Sequence, residues 1–550
     1  SEIKQLRLKF YSKILLTNVC FTINGEKMNQ SVPAKFGILN RFLNVVERLG
    51  NKLPHITMLF IYALIFTMLL SLALSYVDFD YIHPNTHEKI KIINMFTPDN
   101  LLTLVINSVK NFMGFPPLGI TIVATLGIGI AEGSGFVKVL IRKFLSITPK
   151  KFLTPTVIFV SIVCHIVSDS AYTILMPVSA LIFYASGRHP LAGIACSFAG
   201  LAGGFTASYT PSIIDPIMQG FTEAASHSID PNYSVNVLCN YFYALGGTFF
   251  IIGAIWFVTD KVVEPRLWAT MPLDESTKTD KTLVIEDVTP LENKAYYAAL
   301  ATVVALLALL FILCYPDNSL FRAPDGSLTS PKAPVMQGLV PLLFIFFSVP
   351  GLVYGYVAGT FKKSRDVIAS MENIMKMLLS FIVFCFFAGQ FLYVFGASNI
   401  GSLLAISGAE FLKNLGMPSG ITLFGIIILT AMLNVLITSA TSKWAILSTI
   451  FVPMLMMLGI SPELTQAAFR VSDSAVNVCT PLFPFYPLLI LYCQRYCKKS
   501  GVGTLSSMML PYTFALLIVL TAVLYAYWMI GIPLGFNSGF DYPSTMYPQP

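Results

Sequence analysis

Long runs of uncharged, apolar residues recur along almost the whole chain. A membrane-spanning α-helix needs about 20 such residues in succession. Only 11% of the 550 residues are charged, whereas soluble domains carry roughly 25% charged residues. The longest polar stretch, residues 261–293, predicts a connecting loop and not a separate domain. The chain is therefore predicted to be an all-α polytopic membrane protein.

The uncharged runs predict nine transmembrane helices and two segments that enter the membrane without crossing it. The predicted crossings are residues 56–77, 111–131, 190–214, 231–259, 295–316, 333–361, 377–409, 464–494 and 500–540. The remaining apolar segments, 152–187 and 414–462, each hold two helical lengths with a polar cluster in the middle. We interpret both as re-entrant helical hairpins, which enter and leave the membrane on one side.

The predicted organisation has five parts. They are a cytoplasmic N-terminal extension with an interfacial amphipathic helix (1–55), a first transmembrane repeat (56–260), a cytoplasmic loop (261–294), a second transmembrane half (295–540) and an external tail (541–550). Residues 1–35 lack the pattern of a cleaved signal peptide.

The basic residues predict the orientation of the chain. With a cytoplasmic N-terminus, most loop lysines and arginines fall inside, in the segments 142–151, 188, 261–294, 362–376 and 495–499. The opposite loops hold Lys89, Lys91, Lys110, Arg322, Lys332 and Lys413. This asymmetry follows the positive-inside rule, and an odd number of crossings then places the C-terminus outside. The net charge of +7 thus reflects orientation and indicates no nucleic-acid partner.

The nine scattered cysteines predict neither disulfides nor a metal cluster.

The two hairpins share one pattern. Residues 165–172 and 438–444 form their polar tips, and each tip is followed by an apolar arm that ends at a proline, Pro177 or Pro453. Because one hairpin follows an inside loop and the other an outside segment, their orientations must be opposite.

After each hairpin comes a crossing with a proline near a polar centre, at residues 206–211 and 477–481. This order predicts inverted repeats with broken helices. Such repeats place substrate and coupling-ion sites at the membrane midplane, where freed backbone groups face a protein-lined cavity.

Two opposite charges lie inside the eighth crossing. Arg470 and Asp473 share a helical face, and Asp473 lies roughly 14 Å deep at 1.5 Å per residue. A charged residue at this depth indicates a functional site. The alternative is a structural salt bridge between the two.

Other candidate residues also have simpler explanations. Asp169 and Asp215 are candidates for ion and substrate binding, but a carboxylate can also cap a helix N-terminus. Trp444 is a candidate aromatic wall for a ring-bearing substrate, or a packing residue. Lys443 is expected to extend toward solvent.

Two segments superficially match motifs of other functional classes. Residues 127–133 are glycine-rich but lack the spacing and the βαβ context of a dinucleotide loop, so close helix packing is the better interpretation. His165, Ser168 and Asp169 could suggest an intramembrane hydrolase, but no hydrolase motif accompanies them. The chain is therefore not expected to be an enzyme. A channel is the main rival to a transporter, and saturable counterflow distinguishes the two.

The sequence resembles the AbgT family of p-aminobenzoyl-glutamate transporters from about Arg41 onward. The segments that carry the resemblance are ERLGNKLPH (47–55), GRHPLAGIACSFAGLAGGF (187–205), IIDPI (213–217), DPNYSVN (230–236), VVEPRL (262–267), VPMLMMLGISPELTQAAFRVSDSAVNVCTP (452–481) and GVGTLSSMMLPY (501–512). The resemblance implies a homodimer in the bacterial inner membrane. It also implies cation-coupled transport of p-aminobenzoyl-glutamate or related aryl compounds such as sulfonamides, with import and export both open.

The resemblance also implies binding residues. Those for substrate are Asp215, Thr441, Trp444, Pro462, Arg470, Asp473 and Pro481, with Thr441 where the family pattern has a serine; Asn477, at the second break, is added to this set. In our interpretation Arg470 holds a substrate carboxylate and Trp444 stacks on its ring. The coupling ion is assigned to His165, Ser168, Asp169, Ser208, Ser439 and Asp473.

Two of these residues depart from the family pattern. His165 and Ser208 stand where family members often have asparagine. Histidine can carry a proton near neutral pH, so the coupling ion is Na⁺ or a proton. No cofactor is expected.

Overall fold

The computed structural model describes residues 56–82, 88–146, 152–165, 170–274 and 288–543. The predicted amphipathic helix at 41–54 lies outside these residues. The helices of the first half are α1 (Ile56–Leu74), α2 (Pro98–Ile106), α3 (Ser108–Met113), α4 (Pro116–Ser134), α5 (Phe136–Ser146), α6 (Leu153–Cys164), α7 (Ser170–Ala185), α8 (Pro190–Gly203), α9 (Ile214–Ser226), α10 (Tyr241–Val258) and α11 (Glu264–Thr270). A π-helical turn, Thr259–Val263, joins α10 to α11.

The second half is also helical throughout its regular structure. Its helices are α12 (Pro290–Cys314), α13 (Pro334–Gln337), α14 (Leu339–Ala358), α15 (Ser364–Met375), α16 (Leu379–Ala397), α17 (Ile400–Asn414), α18 (Ser419–Asn434), α19 (Ala440–Met457), α20 (Pro462–Val476), α21 (Tyr486–Gln494) and α22 (Val502–Ile530). Several helices begin with proline, whose missing N–H costs nothing in the first turn. The all-α membrane fold is confirmed.

Eight of the described helical segments are long and apolar enough to cross a membrane. One of them, Ala440–Met457, is a hairpin arm. The others are the predicted crossings that have no break. The two broken crossings are absent from this set because each consists of two shorter helices, α8 with α9 and α20 with α21.

The two hairpins open toward opposite ends of the structure. At one end, Arg188 follows α7 and donates to Thr154 Oγ1 in the first turn of α6 at 2.6 Å, so both arms of the first hairpin meet there. The same guanidinium pairs with Asp260, just beyond α10. At the other end, Ser461 follows the second hairpin and its N–H donates to Phe540 O, beyond α22. This arrangement is the inverted repeat that the sequence predicts.

Several predicted boundaries were wrong. The crossing predicted at 190–214 continues through α9 to Ser226, and the next helix begins only at Tyr241. The run at 377–409 is not one helix, because Asn399 adopts a left-handed conformation with φ 62° between α16 and α17. The last crossing ends at Ile530 instead of reaching 540.

The prolines of the hairpins also differ from the prediction. Pro177 and Pro453 lie inside α7 and α19 and do not end them. Both helices run on for at least one further turn, because a membrane helix tolerates the lost backbone hydrogen bond when its neighbours satisfy the freed carbonyl.

The glycines at 127–133 serve helix packing, as predicted. A Cβ at Gly127 would lie 2.7 Å from the carbonyl oxygen of Phe344 in α14. Close backbone approach between α4 and α14 therefore requires glycine there.

The segment after α22 holds the start of α20. Ser461 Oγ donates to Gly539 O at 2.8 Å, in addition to the backbone bond from Ser461 to Phe540. Ser461 is also the N-cap of α20, accepting a hydrogen bond from Leu464 N. The helix that carries Arg470 and Asp473 is thus fixed at this end.

Candidate functional site

The first break separates α8 from α9 over residues 204–213. Its polar groups are largely satisfied locally: Ser208 Oγ donates to Thr210 O, and Tyr241 donates to Tyr209 O at 2.7 Å. Asp215, in the first turn of α9, accepts hydrogen bonds from the backbone and hydroxyl of Ser212. Ser212 thus orients the Asp215 carboxylate, and the N-cap of α9 is Ile213.

The second break separates α20 from α21. Asn477 follows the last residue of α20, and Thr480 Oγ1 donates to Val435 O at 2.9 Å. Pro481 lies in the break and is half-buried. The end of α18, just before the tip of the second hairpin, is thus bonded to the second break.

The two broken crossings meet at Thr206. Its hydroxyl donates to Arg470 O at 2.7 Å and contacts the hydroxyl of Ser474. Both α20 residues are buried. The first break therefore packs against the middle of α20, as convergent half-helices require.

Arg470 pairs with the first repeat. Its Nη1 donates to Asp215 Oδ1 at 2.8 Å, and its Nη2 donates to Phe205 O at 2.7 Å. The side chain is 2% exposed, and its Nε makes no hydrogen bond to any described residue. The predicted alternative of a salt bridge to Asp473 is wrong, because each of the two charges has a different partner.

Asp473 pairs with Lys443. The Lys443 ammonium donates to Asp473 Oδ1 and to Asn434 Oδ1, and Asn477 Nδ2 donates to Asp473 Oδ2 at 3.0 Å. Lys443 is 2% exposed. The prediction that Lys443 extends toward solvent is wrong, because a buried carboxylate lies within its reach.

Trp444 is fully buried between α9 and α20. Its ring lies 4.5 Å from that of Phe469, centroid to centroid, with the planes tilted by 31°. Its Nε1–H donates to Thr222 Oγ1 at 2.9 Å, and Thr222 donates to Gln466. Trp444 therefore packs within the protein in this state, and Phe469 contacts its ring.

The coupling-ion candidates are divided between the two repeats. His165 caps the end of α6 and meets Phe205 edge to face at 6.2 Å. Its Nε2 is buried and makes no hydrogen bond within the described ranges. Ser439 is the exposed N-cap of α19 and accepts from Ser442 N. Ser168 and Asp169 lie outside the described residues.

Pro462 lies apart from the other candidates. It is the first residue of α20, eight residues before Arg470, which is about 12 Å along the helix. Thr441 lies in the first turn of α19, near the hairpin tip, and is half-buried.

Sequence reasoning missed three residues of this site. Phe205 links Arg470 to His165, Asn434 accepts from Lys443, and Thr222 holds Trp444. Asn434 had a recognisable signal, since it is a lone amide near the end of an apolar hairpin arm. Nothing in the sequence indicated the other two.

Comparison with known proteins is consistent with this architecture. Residues 41–542 match the model of the AbgT transporter family. The chain is 34% identical to the p-aminobenzoyl-glutamate transport protein of Escherichia coli K12 over 493 residues, which cover 89% of this chain and 95% of that protein.

Two solved structures are also similar. The YdaH transporter of Alcanivorax borkumensis, described as having an unusual topology, superposes with a TM-score of 0.82 at 37% identity, covering 88% of this chain and all of that one. MtrF of Neisseria gonorrhoeae, described within a class of antimetabolite efflux pumps, superposes with a TM-score of 0.84 at 37% identity, covering 90% of this chain and all of that one. With a site built from two broken crossings and two opposed hairpins, this chain belongs to the AbgT family of membrane transporters and is not an enzyme.

Proposed function

We propose that this chain is a cation-coupled secondary transporter of p-aminobenzoyl-glutamate or related aryl carboxylates, with export of sulfonamide-like antimetabolites within its range. The observation that carries the proposal is the buried guanidinium of Arg470, whose Nε lacks an acceptor among the described residues. A buried donor without a partner is costly. A substrate carboxylate would supply the missing acceptor.

Asp215 gives Arg470 a partner in the absence of substrate. Its carboxylate already neutralises the guanidinium through Nη1, so a substrate carboxylate has to join or replace it. Arginine suits this exchange because its five donors form a planar fork that matches a carboxylate. The pair therefore keeps the site neutral when it is empty.

The ring of the substrate would be recognised beside Arg470. Trp444 and Phe469 form a buried aromatic pair, and Phe469 immediately precedes Arg470 on α20. An aryl group that stacked on Trp444 would require Phe469 to move, because the two rings are in contact. Thr441 and Pro481 lie near the hairpin tip and the second break, where they could complete the wall of such a site.

The cation would act at the hairpin tips and the neighbouring helix breaks. The candidates are His165 and Ser208 in the first repeat, with Ser168 and Asp169 outside the described residues, and Ser439 and Asp473 in the second. Breaks in membrane helices expose carbonyl groups that bind cations. Na⁺ and the proton both fit this chemistry.

The E. coli relative is named for p-aminobenzoyl-glutamate transport, whereas the gonococcal structure is described among antimetabolite efflux pumps. These names support the substrate class and leave both directions of transport within the proposal.

The chain would be a homodimer in the bacterial inner membrane, with the N-terminus cytoplasmic and the C-terminus external. The basic residues that support this orientation include Arg188 and Arg266, at the end where the first hairpin opens.

The experiment is transport of labelled p-aminobenzoyl-glutamate by the full chain in proteoliposomes. Uptake and efflux are measured under a sodium gradient alone and under a pH gradient alone. Saturable, gradient-driven movement with counterflow is expected. Flux that neither saturates nor responds to either gradient would contradict the proposal and favour a channel.

A further inference from the structure

Lys443 and Asp473 each lie at the unfavourable end of a helix. Lys443 is the fourth residue of α19, close to the positive end of the helix dipole. Asp473 lies in the last turn of α20, close to the negative end. Both are buried, with side chains 1% and 0% exposed. Neither charge is favoured by its own helix, so each depends on the other.

Two helix C-termini converge on the ammonium. Helix α18 ends at Asn434, whose Oδ1 accepts from Lys443. Helix α20 ends three residues after Asp473, and Asn434 Nδ2 donates to Asp473 O at 3.1 Å, so the two helix ends are joined. Helix C-termini carry partial negative charge. These two helix ends would therefore stabilise any cation at the position of the Lys443 ammonium.

Asn477 adds an oxygen that has no donor. Its Nδ2 is held by Asp473 Oδ2, which leaves its Oδ1 next to the carboxylate. This oxygen is buried and accepts no hydrogen bond from the residues that the structure describes. A carboxylate with amide oxygens is the ligand set of a hard cation, and in broken membrane helices such oxygens bind Na⁺.

We propose that the Lys443 ammonium is a tethered cation, which fills a sodium site formed by Asp473, Asn434 and Asn477. The proposal rests on the proposed transport function and narrows the coupling-ion candidates to those of the first repeat. The second repeat then needs no free cation to neutralise Asp473. The coupling ion then binds only in the first repeat. Each transport cycle moves one free cation fewer than it would if both repeats bound a free cation.

The test is binding of ²²Na⁺ to the purified full chain in detergent, without substrate. Lys443→Gln removes the tethered charge and keeps a polar side chain that is one bond shorter. This variant is expected to bind ²²Na⁺ at least about tenfold more tightly than the parent. The double variant Lys443→Gln/Asp473→Asn should lose the gain. Lys332→Gln, at an exposed lysine in a loop, is the matched control and should bind as the parent does.

A Lys443→Gln variant that binds ²²Na⁺ no more tightly than the parent overturns the proposal, as does a gain that survives in the double variant. If Lys443→Gln does not fold, Lys443→Ala decides. It vacates the position of the ammonium between Asp473 and Asn434, so Na⁺ should bind more tightly than in the parent. No gain in this variant overturns the proposal. Because binding is measured without substrate, failure of p-aminobenzoyl-glutamate transport would leave this test unaffected.

Discussion

The guanidinium of Arg470 and the carboxylate of Asp215 form a buried ion pair, with Nη1 and Oδ1 2.8 Å apart. The two residues belong to different broken crossings, so the pair joins the two repeats. A substrate carboxylate that bound Arg470 as proposed would have to join or replace this contact. Substrate binding would then be linked to the packing of one repeat against the other.

Arg470→Ala is expected to abolish binding of carboxylate substrates. Loss of a buried, hydrogen-bonded charge partner should weaken binding by about 2–5 kcal/mol. The free energy of unfolding should also decrease, by about 3–5 kcal/mol, because Asp215 is left unpaired. Arg470→Lys should restore little, since an ammonium lacks the planar fork. Binding of labelled p-aminobenzoyl-glutamate and thermal unfolding measure the two effects.

A double variant separates these effects. Arg470→Ala/Asp215→Asn removes the unpaired charge but leaves an acceptor for Ser212. It should recover stability without recovering binding. Substrate affinity equal to that of the parent in either variant would assign Arg470 a structural role only.

Trp444→Ala should weaken binding of ring-bearing substrates more than binding of plain glutamate. Stacking on an aromatic side chain contributes about 1–3 kcal/mol per base in nucleic-acid binding, which is the comparable case. The matched control is Phe469→Leu, which removes the neighbouring ring and leaves the Trp444–Thr222 hydrogen bond in place. Equal losses for both ligands on Trp444→Ala would place the residue in packing alone.

His165→Asn is expected to shift ion coupling from protons toward sodium. His165 lies at the end of the first arm of its hairpin, and its Nε2 has no hydrogen-bond partner in the described part of the chain. An imidazole can exchange a proton near neutral pH, whereas an amide oxygen can coordinate Na⁺. Transport by both proteins is compared with each gradient alone. A parent driven by sodium alone, with a pH profile unchanged in the variant, would refute the proton assignment.

His189 should make the inner end sensitive to acid. Burial lowers the pKa of His189 below 6.5, although Met271 O and Glu264 oppose the shift. Its Nδ1 accepts from Leu191 N and its Nε2 donates to Met271 O, an arrangement that needs the neutral ring. Because the unfolded chain binds this proton more tightly, the free energy of unfolding is greatest above pH 6.5 and decreases as the pH falls toward the folded-state pKa. Thermal unfolding between about pH 7.5 and 5.5 measures this.

The variant His189→Gln should unfold with a weaker dependence on pH in that window, because glutamine does not titrate. His227→Gln is a suitable control, since His227 lies in the loop at the opposite end and is exposed. An identical pH dependence in the parent and in His189→Gln would refute the assignment.

The hairpins and the breaks could be predicted because their signals are local. A polar cluster within an apolar run, or a proline near a polar centre, marks an interruption wherever the neighbouring helices lie. The end of α16 carried only a short mark, Ser398 and Asn399, and it was not recognised as an interruption although Asn399 turns the chain there through a left-handed conformation. Hydrophobicity alone therefore joined two helices into one predicted crossing.

The ion-pair partners of the charged residues could not be predicted from the sequence. Sequence spacing correctly put Arg470 and Asp473 on one face of a helix, but spacing says nothing about partners on other helices. Asp215 lies 255 residues from Arg470 along the chain, and Lys443 lies 30 residues from Asp473. Such pairings depend on how the helices pack, which is why Lys443 was expected to reach solvent.

The bonds between Ser461 and the segment after α22 fix the start of α20, whereas the far end of this helix is hydrogen-bonded to α18. If α18 shifts, a rigid helix that is fixed at its start tilts about that start. The helix is 15 residues long, or roughly 22 Å, so a swing of about 5° would displace its far end by about 2 Å. Arg470 and Asp473 lie in the half of α20 that is farther from Ser461, and Pro462 lies at the pivot. A small tilt would thus alter both buried ion pairs while leaving the contacts of Ser461 in place.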